Sequence, residues 1–200
     1  MSLSEHVKNI FADSANLKNL VVKTLAPSIV EASQMLVNCI RGGGKILSCG
    51  NGGSACDAMH FNAEIVNRFM IERDPLPAIA LNADMAVLTA VSNDYSYNDV
   101  FSKQIKAIGR KGDVLLCIST SGNSQNLVRA ISKAHECGLQ VIALTGRDGG
   151  DMANALRASD LEIRVPGTVT PRIQEVHIVI IHCLCDLIDR ILFEKVGEKA

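Results

Sequence analysis

Apolar residues recur three or four positions apart through the first forty residues of the chain. The recurring positions at the start are Leu3, Val7, Ile10, Phe11, Leu17, Leu20 and Val21. This spacing lines one face of a helix and predicts a helix over residues 3–24. Pro27 interrupts the pattern, because proline lacks the N–H group that a helix interior uses. A second helix is predicted from there to about Ile40, and the glycines at 42–44 end it, since glycine tolerates the left-handed conformation of a helix C-terminus.

From residue 45 onward, short apolar runs alternate with helical patterns. The predicted strands cover residues 45–49, 77–81, 113–118, 140–144 and 160–165. The predicted helices cover residues 54–69, 84–91, 123–136, 151–156 and 171–193. Alternation of this kind predicts an α/β fold with a five-stranded parallel, doubly wound sheet, as in flavodoxin. The strands lack polar alternation, which is typical when helices cover both faces of a sheet.

The two ends of the chain are predicted to be helical additions to this sheet. The helix over 171–193 is apolar nearly all round, so we expect it to be buried. The two N-terminal helices carry more apolar surface than one sheet face requires, and residues 1–41 are therefore predicted to form an oligomer interface. No linker or repeat is evident, so we predict one domain over residues 1–200, with the α/β sandwich over 42–200.

Composition narrows the class of protein. Apolar residues make up 48% of the chain and charged residues 20%, with a formal net charge of −1, which is typical of a globular protein. No basic cluster is present, so direct nucleic-acid binding is not indicated. The N-terminus lacks a basic leader with an apolar core, and no uninterrupted apolar stretch reaches about 18 residues. We therefore expect a cytoplasmic protein that does not enter a membrane, with its seven scattered cysteines as reduced thiols.

Two turns rich in glycine and hydroxyl groups follow the first and third predicted strands, at residues 50–54 and 119–124. Ligands of open α/β sheets bind at the carboxyl ends of the strands, where helix N-termini attract anions. For one turn alone, helix capping explains the composition equally well. Two such turns at one sheet edge favour a phosphate site. Residues 50–55 also fit a loose dinucleotide fingerprint, but the acidic residue expected about 20 positions further on is absent.

The helix after the first turn carries His60 and Glu64, four positions apart and hence on one face. His182 on the buried last helix is the obvious third member of this group. Helical phase alone favours Glu175 over Gln174 as a further member, because Glu175 lies seven residues from His182. Imidazoles with a carboxylate suit zinc or general acid–base catalysis. The alternatives are a solvated surface pair and a core histidine.

Asn93 and Asp94 follow the short helix after the second strand. Their polar side chains suit sugar hydroxyl groups, and the alternative is a simple Asx turn.

Taken together, these motifs resemble the SIS (sugar isomerase) superfamily and, within it, the phosphoheptose isomerase family. The motifs are Cys-Gly-Asn-Gly-Gly-Ser at 49–54 with Asp57, His60 and Glu64, Ser-Asn-Asp-Tyr-Ser-Tyr-Asn at 92–98, Ser-Thr-Ser-Gly-Asn-Ser at 119–124, Leu-Thr-Gly-Arg-Asp-Gly-Gly at 144–150, and Arg-Ile-Gln-Glu-Val-His at 172–177. The resemblance covers nearly the whole chain. It departs from the family pattern at Met59, in place of a glutamine, and at Pro171, in place of an aspartate that some members carry.

The resemblance implies a homotetramer that converts sedoheptulose 7-phosphate to glycero-manno-heptose 7-phosphate for the heptose of lipopolysaccharide. It implies one zinc ion per subunit, bound by His60, Glu64, Gln174 and His182, and so prefers Gln174 to Glu175. Glu64 and His182 would be the acid–base pair. The implied substrate-binding residues are Asn51, Gly52, Gly53, Ser54, Glu64, Asn93, Asp94, Ser119, Thr120, Ser121, Ser124 and Gln174.

A binding protein is the alternative to an enzyme. The chain also resembles the DnaA initiator-associating protein, which shares the fold and acts in replication initiation by binding DnaA. That relative lacks the acidic residue at the position of Glu64 and the histidine at the position of His182. Both are present here, which favours the enzyme.

Overall fold

The computed structural model describes residues 1–193, and the predicted domain runs on to residues 194–200, which lie outside the described residues. The strands are β1 (Ile46–Gly50), β2 (Ala78–Ala80), β3 (Val114–Ile118), β4 (Gln140–Gly146) and β5 (Leu161–Val165). All neighbouring pairs are parallel, and the sheet order is β2-β1-β3-β4-β5. This order is that of flavodoxin-like sheets and confirms the predicted fold class.

Seven α-helices surround this sheet within the described residues. They are α1 (Leu3–Arg41), α2 (Gly53–Val66), α3 (Met85–Asp94), α4 (Val100–Ile108), α5 (Gln125–Glu136), α6 (Gly150–Ala155) and α7 (Thr170–Phe193). A short 3-10 turn at Tyr97–Asp99 leads into α4. Neither the turn nor α4 was among the predicted elements. The signal for α4 was present, since Val100, Phe101 and Ile105 are all buried on one side of it.

The prediction of two N-terminal helices was wrong, because α1 is one continuous helix of 39 residues with Pro27 inside it. Ser2 and Glu5 form a capping box at its start. Pro27 lies on the exposed side of the helix. There the carbonyl that loses its N–H partner can be hydrated, so the proline does not end the helix.

Two apolar layers sandwich the sheet. On one face, α1, α2 and α7 pack against strand residues such as Leu116 and Ile142. On the other face, α4 and α5 pack against residues such as Leu115 and Val141. Neighbouring residues along each strand therefore enter opposite layers, and both faces are apolar, as the lack of polar alternation predicted. The helices cover the two faces of the sheet, which leaves the carboxyl ends of the strands available to a ligand.

The direction of chain progression reverses between β1 and β3, which are neighbours in the sheet. This is the switch point at which open α/β sheets bind ligands. The turns at 50–54 and 119–124 follow these two strands. They lie side by side, as the sequence predicted.

Helix α1 is only partly covered. Val21, Ile29 and Leu36 are buried in the layer shared with α7, while Leu3 and Phe11 are 86% and 73% exposed. By length and composition alone α1 could cross a membrane, and 28% of its most apolar stretch is buried here. The core helix of a soluble protein meets the same criteria, so length and composition alone do not assign α1 to a membrane.

Candidate active site

The turn after β1 brings the backbone of α2 against α7. Asn82 holds the turn from the neighbouring strand by bonding both main-chain groups of Gly50, at 3.2 Å and 2.9 Å. Helix α2 then begins at Gly53 with no side-chain cap. A Cβ atom at Gly53 would lie 2.3 Å from the amide nitrogen of Gln174, so a larger residue here would displace the end of the Gln174 side chain. The uncapped start of α2 is suited to an anion.

The turn after β3 uses its hydroxyl groups in different ways. Ser119 accepts a hydrogen bond from the N–H of Gly122, and Ser121 accepts one from the N–H of Asn123. Ser124 precedes the first residue of α5, yet its side chain makes no capping bond. The capping explanation therefore does not account for Ser124, and the start of α5 is also suited to an anion.

Asn51 links the two turns. Its amide exchanges hydrogen bonds with the amide of Asn126 on α5, at 2.8 Å and 2.9 Å. Its oxygen also accepts a bond of 2.9 Å from the hydroxyl of Tyr97. Asn51 is consequently held from two sides at the switch point.

The acid–base candidates converge where α2 meets α7. The Nε2 atoms of His60 and His182 are 3.0 Å apart, and His60 Nε2 lies 3.7 Å from the Glu64 carboxylate. The ring of His182 stacks on Phe69 with centroids 5.6 Å apart. His60 and Glu64 are 40% and 23% exposed, so a ligand can reach them. The helical spacing predicted this group, which is neither an isolated surface pair nor a lone core histidine.

Gln174, and not Glu175, faces this group. Gln174 lies against Gly53 and hydrogen bonds Asp57. Glu175 instead pairs with Arg172 beside α1. The preference of helical phase for Glu175 was wrong as a matter of position, because Glu175 lies beside α1 while Gln174 lies against the start of α2. Gln174 is the residue that the family resemblance implied.

Asp57 is a buried carboxylate in the same group. One of its oxygens, Oδ2, has no hydrogen-bond partner. Burial raises the pKa of Asp57 to about 6, while the Gln174 bond and the nearby His60 ring act in the opposite direction. An unpaired buried oxygen costs free energy, so this group is not closed in the way a structural network would be.

The donor types fit zinc. His60, His182, Glu64 and Gln174 offer two imidazoles, a carboxylate and an amide oxygen, which is a donor set that zinc accepts. Across residues 1–193, no three His, Cys, Asp or Glu side chains are placed to hold a metal ion as they stand. The two imidazoles touch at 3.0 Å, whereas nitrogens sharing a tetrahedral zinc are about 3.4 Å apart.

Comparison with known proteins decides the family. The SIS domain model matches residues 10–146. The phosphoheptose isomerase of Shewanella sp. (strain W3-18-1) is 56% identical over 191 residues, covering 96% of this chain and 97% of the relative. The chain belongs to the phosphoheptose isomerase family.

Solved structures of phosphoheptose isomerases have the same fold. GmhA from Neisseria gonorrhoeae is 49% identical with a TM-score of 0.90, covering 94% of this chain and 99% of that one. The protein from Francisella tularensis is 44% identical with a TM-score of 0.92, covering 95% and 100%. The long helices α1 and α7 therefore belong to the family fold.

The two departures from the phosphoheptose isomerase pattern lie beside the site without disturbing its framework. Met59 is on α2 with 39% of its surface exposed. Pro171 is in the first turn of α7, where a missing N–H costs nothing. Neither departure interrupts the helix that carries it.

Asn93 and Asp94 hydrogen bond to each other at the exposed end of α3. Tyr97, from the segment that follows, is the residue that reaches Asn51. The motif that contains Tyr97 was part of the sequence analysis, but no role was predicted for Tyr97 itself, and the predicted role of Asn93 and Asp94 in sugar binding stays a prediction. Asn126 was missed because a polar residue in the first turn of a helix also suits capping.

Proposed function

We propose that this chain is an aldose–ketose isomerase that converts sedoheptulose 7-phosphate to glycero-manno-heptose 7-phosphate. The observation that carries the proposal is the meeting of His60, Glu64 and His182 beside the two turns at the switch point. The turns suit a phosphate, and the carboxylate with the imidazoles suits proton transfer. The names of the phosphoheptose isomerase relatives support this substrate.

The phosphate group of the substrate binds at the N-termini of α2 and α5. Main-chain N–H groups at Gly52 and Gly53 and the hydroxyl of Ser124 hold its oxygens. Asn93 and Asp94 bind sugar hydroxyl groups, as do the remaining residues of the 119–124 turn. Binding so far from the reacting carbons orients C1 and C2 at the other end of the sugar.

Proton transfer then runs through an enediolate. Glu64 removes a proton from C1 of the ketose, and the negative charge of the resulting enediolate lies on the oxygen at C2. His182 then donates a proton to C2, and the proton of the C1 hydroxyl passes to the oxygen at C2 as the aldehyde forms at C1. No proton is gained or lost overall, which is what an isomerisation requires.

One zinc ion per subunit belongs to this proposal, held by His60, Glu64, Gln174 and His182. When bound, it would polarise the carbonyl group and stabilise the negative charge of the enediolate. The closeness of the Gln174 side chain to Gly53, at the start of the helix that carries His60 and Glu64, supports its inclusion.

The proposal places the protein in the cytoplasm as a homotetramer that supplies heptose for lipopolysaccharide. The exposed apolar residues of α1 support an assembly, since Val22 and Val30 border an apolar groove between α1 and α7. Light scattering at micromolar concentration is expected to give the mass of four chains, and a monomeric mass would contradict the assembly.

The test of function is incubation of the pure, zinc-loaded protein with sedoheptulose 7-phosphate. We expect the aldose to form, and its appearance can be followed by proton NMR. No conversion, combined with tight binding to DnaA, would contradict the proposal and support the binding protein instead.

A further inference from the structure

A buried arginine joins the end of α2 to the far half of α7. Arg73 lies in the segment between α2 and β2, and its Nε donates a bond of 2.6 Å to Asp189 on α7. The side chains of Arg73 and Asp189 are only 1% and 3% exposed. An arginine so deeply buried needs partners for every part of its guanidinium group.

Those partners are the last carbonyl groups of the helix that carries Glu64. Nη2 of Arg73 donates to the main-chain oxygen of Glu64 at 2.8 Å, and Nη1 donates to that of Ile65 at 2.9 Å. Nη1 also donates to the main-chain oxygen of Asp74 at 3.1 Å. Carbonyls at a helix C-terminus have no partner within the helix, so this guanidinium serves as the cap of α2. It bonds the backbone of the very residue whose carboxylate is the proposed base.

Asp189, at the other end of this link, lies on the same face of α7 as His182. Asp189 lies seven residues beyond His182, which is two turns of helix and the same face of α7. Arg73 thus connects the backbone of Glu64 to the helix face that presents His182. The planar, forked guanidinium holds both connections in one fixed geometry.

Stability alone does not account for this link. Buried ion pairs are often no more stabilising than apolar residues of the same volume. One oxygen of Asp189, Oδ2, also has no hydrogen-bond partner. We infer that Arg73, held by Asp189, is a positioning residue that sets the distance between the Glu64 carboxylate and the His182 ring. The inference rests on the proposed isomerase function.

The deciding experiment replaces the pair by apolar residues in the full-length, zinc-loaded protein. Arg73→Met with Asp189→Leu removes both charges together, so neither is left buried alone. We expect the urea midpoint of unfolding to fall only modestly, because no charge is left buried alone while the carbonyls of Glu64 and Ile65 lose their donor. We expect kcat to fall at least about tenfold with KM changed less than about threefold, because misplaced reacting groups slow the chemical step more than binding.

Two further variants make the result specific. Arg73→Lys keeps the charge but cannot reach Asp189 and the two carbonyls at once, so kcat is expected to fall about threefold or more even if the double variant does not fold. The matched control is Lys45→Met, which breaks the ion pair with Asp113 at the amino ends of β1 and β3. That control is expected to lose stability and keep kcat.

The outcomes separate the two claims. If the wild-type protein turns over and the folded double variant keeps kcat within about twofold, the inference is wrong and the proposed function stands. Unchanged kcat in Arg73→Lys would overturn it in the same way. If the wild-type protein itself produces no aldose, the proposed function is wrong and the inference fails with it.

Discussion

Buried polar groups are hydrogen bonded differently at the two edges of the sheet, the amino edge and the carboxyl edge, where the amino and carboxyl ends of the parallel strands lie. At the amino edge, Asp113 accepts hydrogen bonds on both oxygens, from the ammonium of Lys45 and from two main-chain N–H groups. Asp160 is satisfied in the same manner by His135 and two main-chain N–H groups. Each carboxylate is buried and has a cationic or imidazole partner. These are closed structural networks.

At the carboxyl edge the polar groups remain open. Asp57 leaves one oxygen unpaired and Ser124 begins a helix without capping it, while His60 and His182 share one hydrogen bond between their ring nitrogens. An unpaired buried oxygen costs stability, and natural folds retain such costs where a ligand or a reaction uses them. The contrast supports the proposed site, although both edges carry histidines and carboxylates.

The largest predicted effect comes from histidines on the two edges. His182→Gln removes the proposed acid, and kcat is expected to fall about a thousandfold, as for loss of a general acid–base group. His135→Gln is the matched control and is expected to keep kcat within about twofold while lowering stability. Steady-state isomerisation assays check both. Equal losses of kcat in the two variants would break the distinction between the edges.

Substitutions in the networks of the amino edge are expected to lower the free energy of unfolding more than substitutions at the carboxyl edge. In Asp160→Asn, the new amide NH₂ group replaces a carboxylate oxygen and so faces N–H donors that it cannot accept from. His135 also loses its carboxylate partner. The free energy of unfolding is expected to fall by about 3 kcal/mol, as for breaking one side of a buried pair. Urea unfolding measures this loss. A change below about 1 kcal/mol would show that the network is not structural.

A pH titration of stability examines His177, which is buried on α7 and bonds the carbonyl of Thr145. Burial lowers the pKa of His177 to about 4, against the effect of that hydrogen bond. The His177 side chain of the unfolded chain therefore binds a proton near pH 6.5, whereas that of the folded protein stays neutral at this pH. Its contribution to stability is complete above pH 6.5 and is lost as the pH falls to about 4, by about 3 kcal/mol in total.

The matched variant for this titration is His177→Gln, which keeps an N–H donor and cannot titrate in this range. It is expected to unfold with a shallower dependence on pH between 6.5 and 4. Parallel curves for the variant and the wild-type protein would contradict the assignment of this pH dependence to His177.

The smallest effect is predicted at the turn after β3. Ser124→Ala removes one hydroxyl from the proposed phosphate site, and KM is expected to rise about tenfold with kcat little changed, as for loss of one hydrogen bond to a charged group. The urea midpoint is expected to stay the same, because the hydroxyl makes no capping bond. A lower midpoint with unchanged KM would restore the capping explanation.

Local patterns predicted most of the fold, because helices cover both sheet faces and every residue of β1 and β3 is buried. The errors arose where tertiary context overrides local preference. Pro27 is tolerated because its side of α1 is exposed. Gln174 lies against the start of α2 while Glu175 lies beside α1, which helical phase alone did not predict.

The site was predictable in part. His60 and Glu64 are four residues apart on one helix, so their meeting follows from spacing alone. Arg73 could not be found in this way, because its partners include main-chain carbonyls and a carboxylate 116 positions away. Such a link exists only in the folded chain.

The most direct test of the account is isomerisation of sedoheptulose 7-phosphate in deuterium oxide by the wild-type protein and by Glu64→Gln. The account predicts that the wild-type protein forms aldose carrying deuterium at C2. It predicts that Glu64→Gln loses turnover by orders of magnitude while phosphate binding is largely kept. Full activity in Glu64→Gln would contradict the assignment of Glu64 as the base.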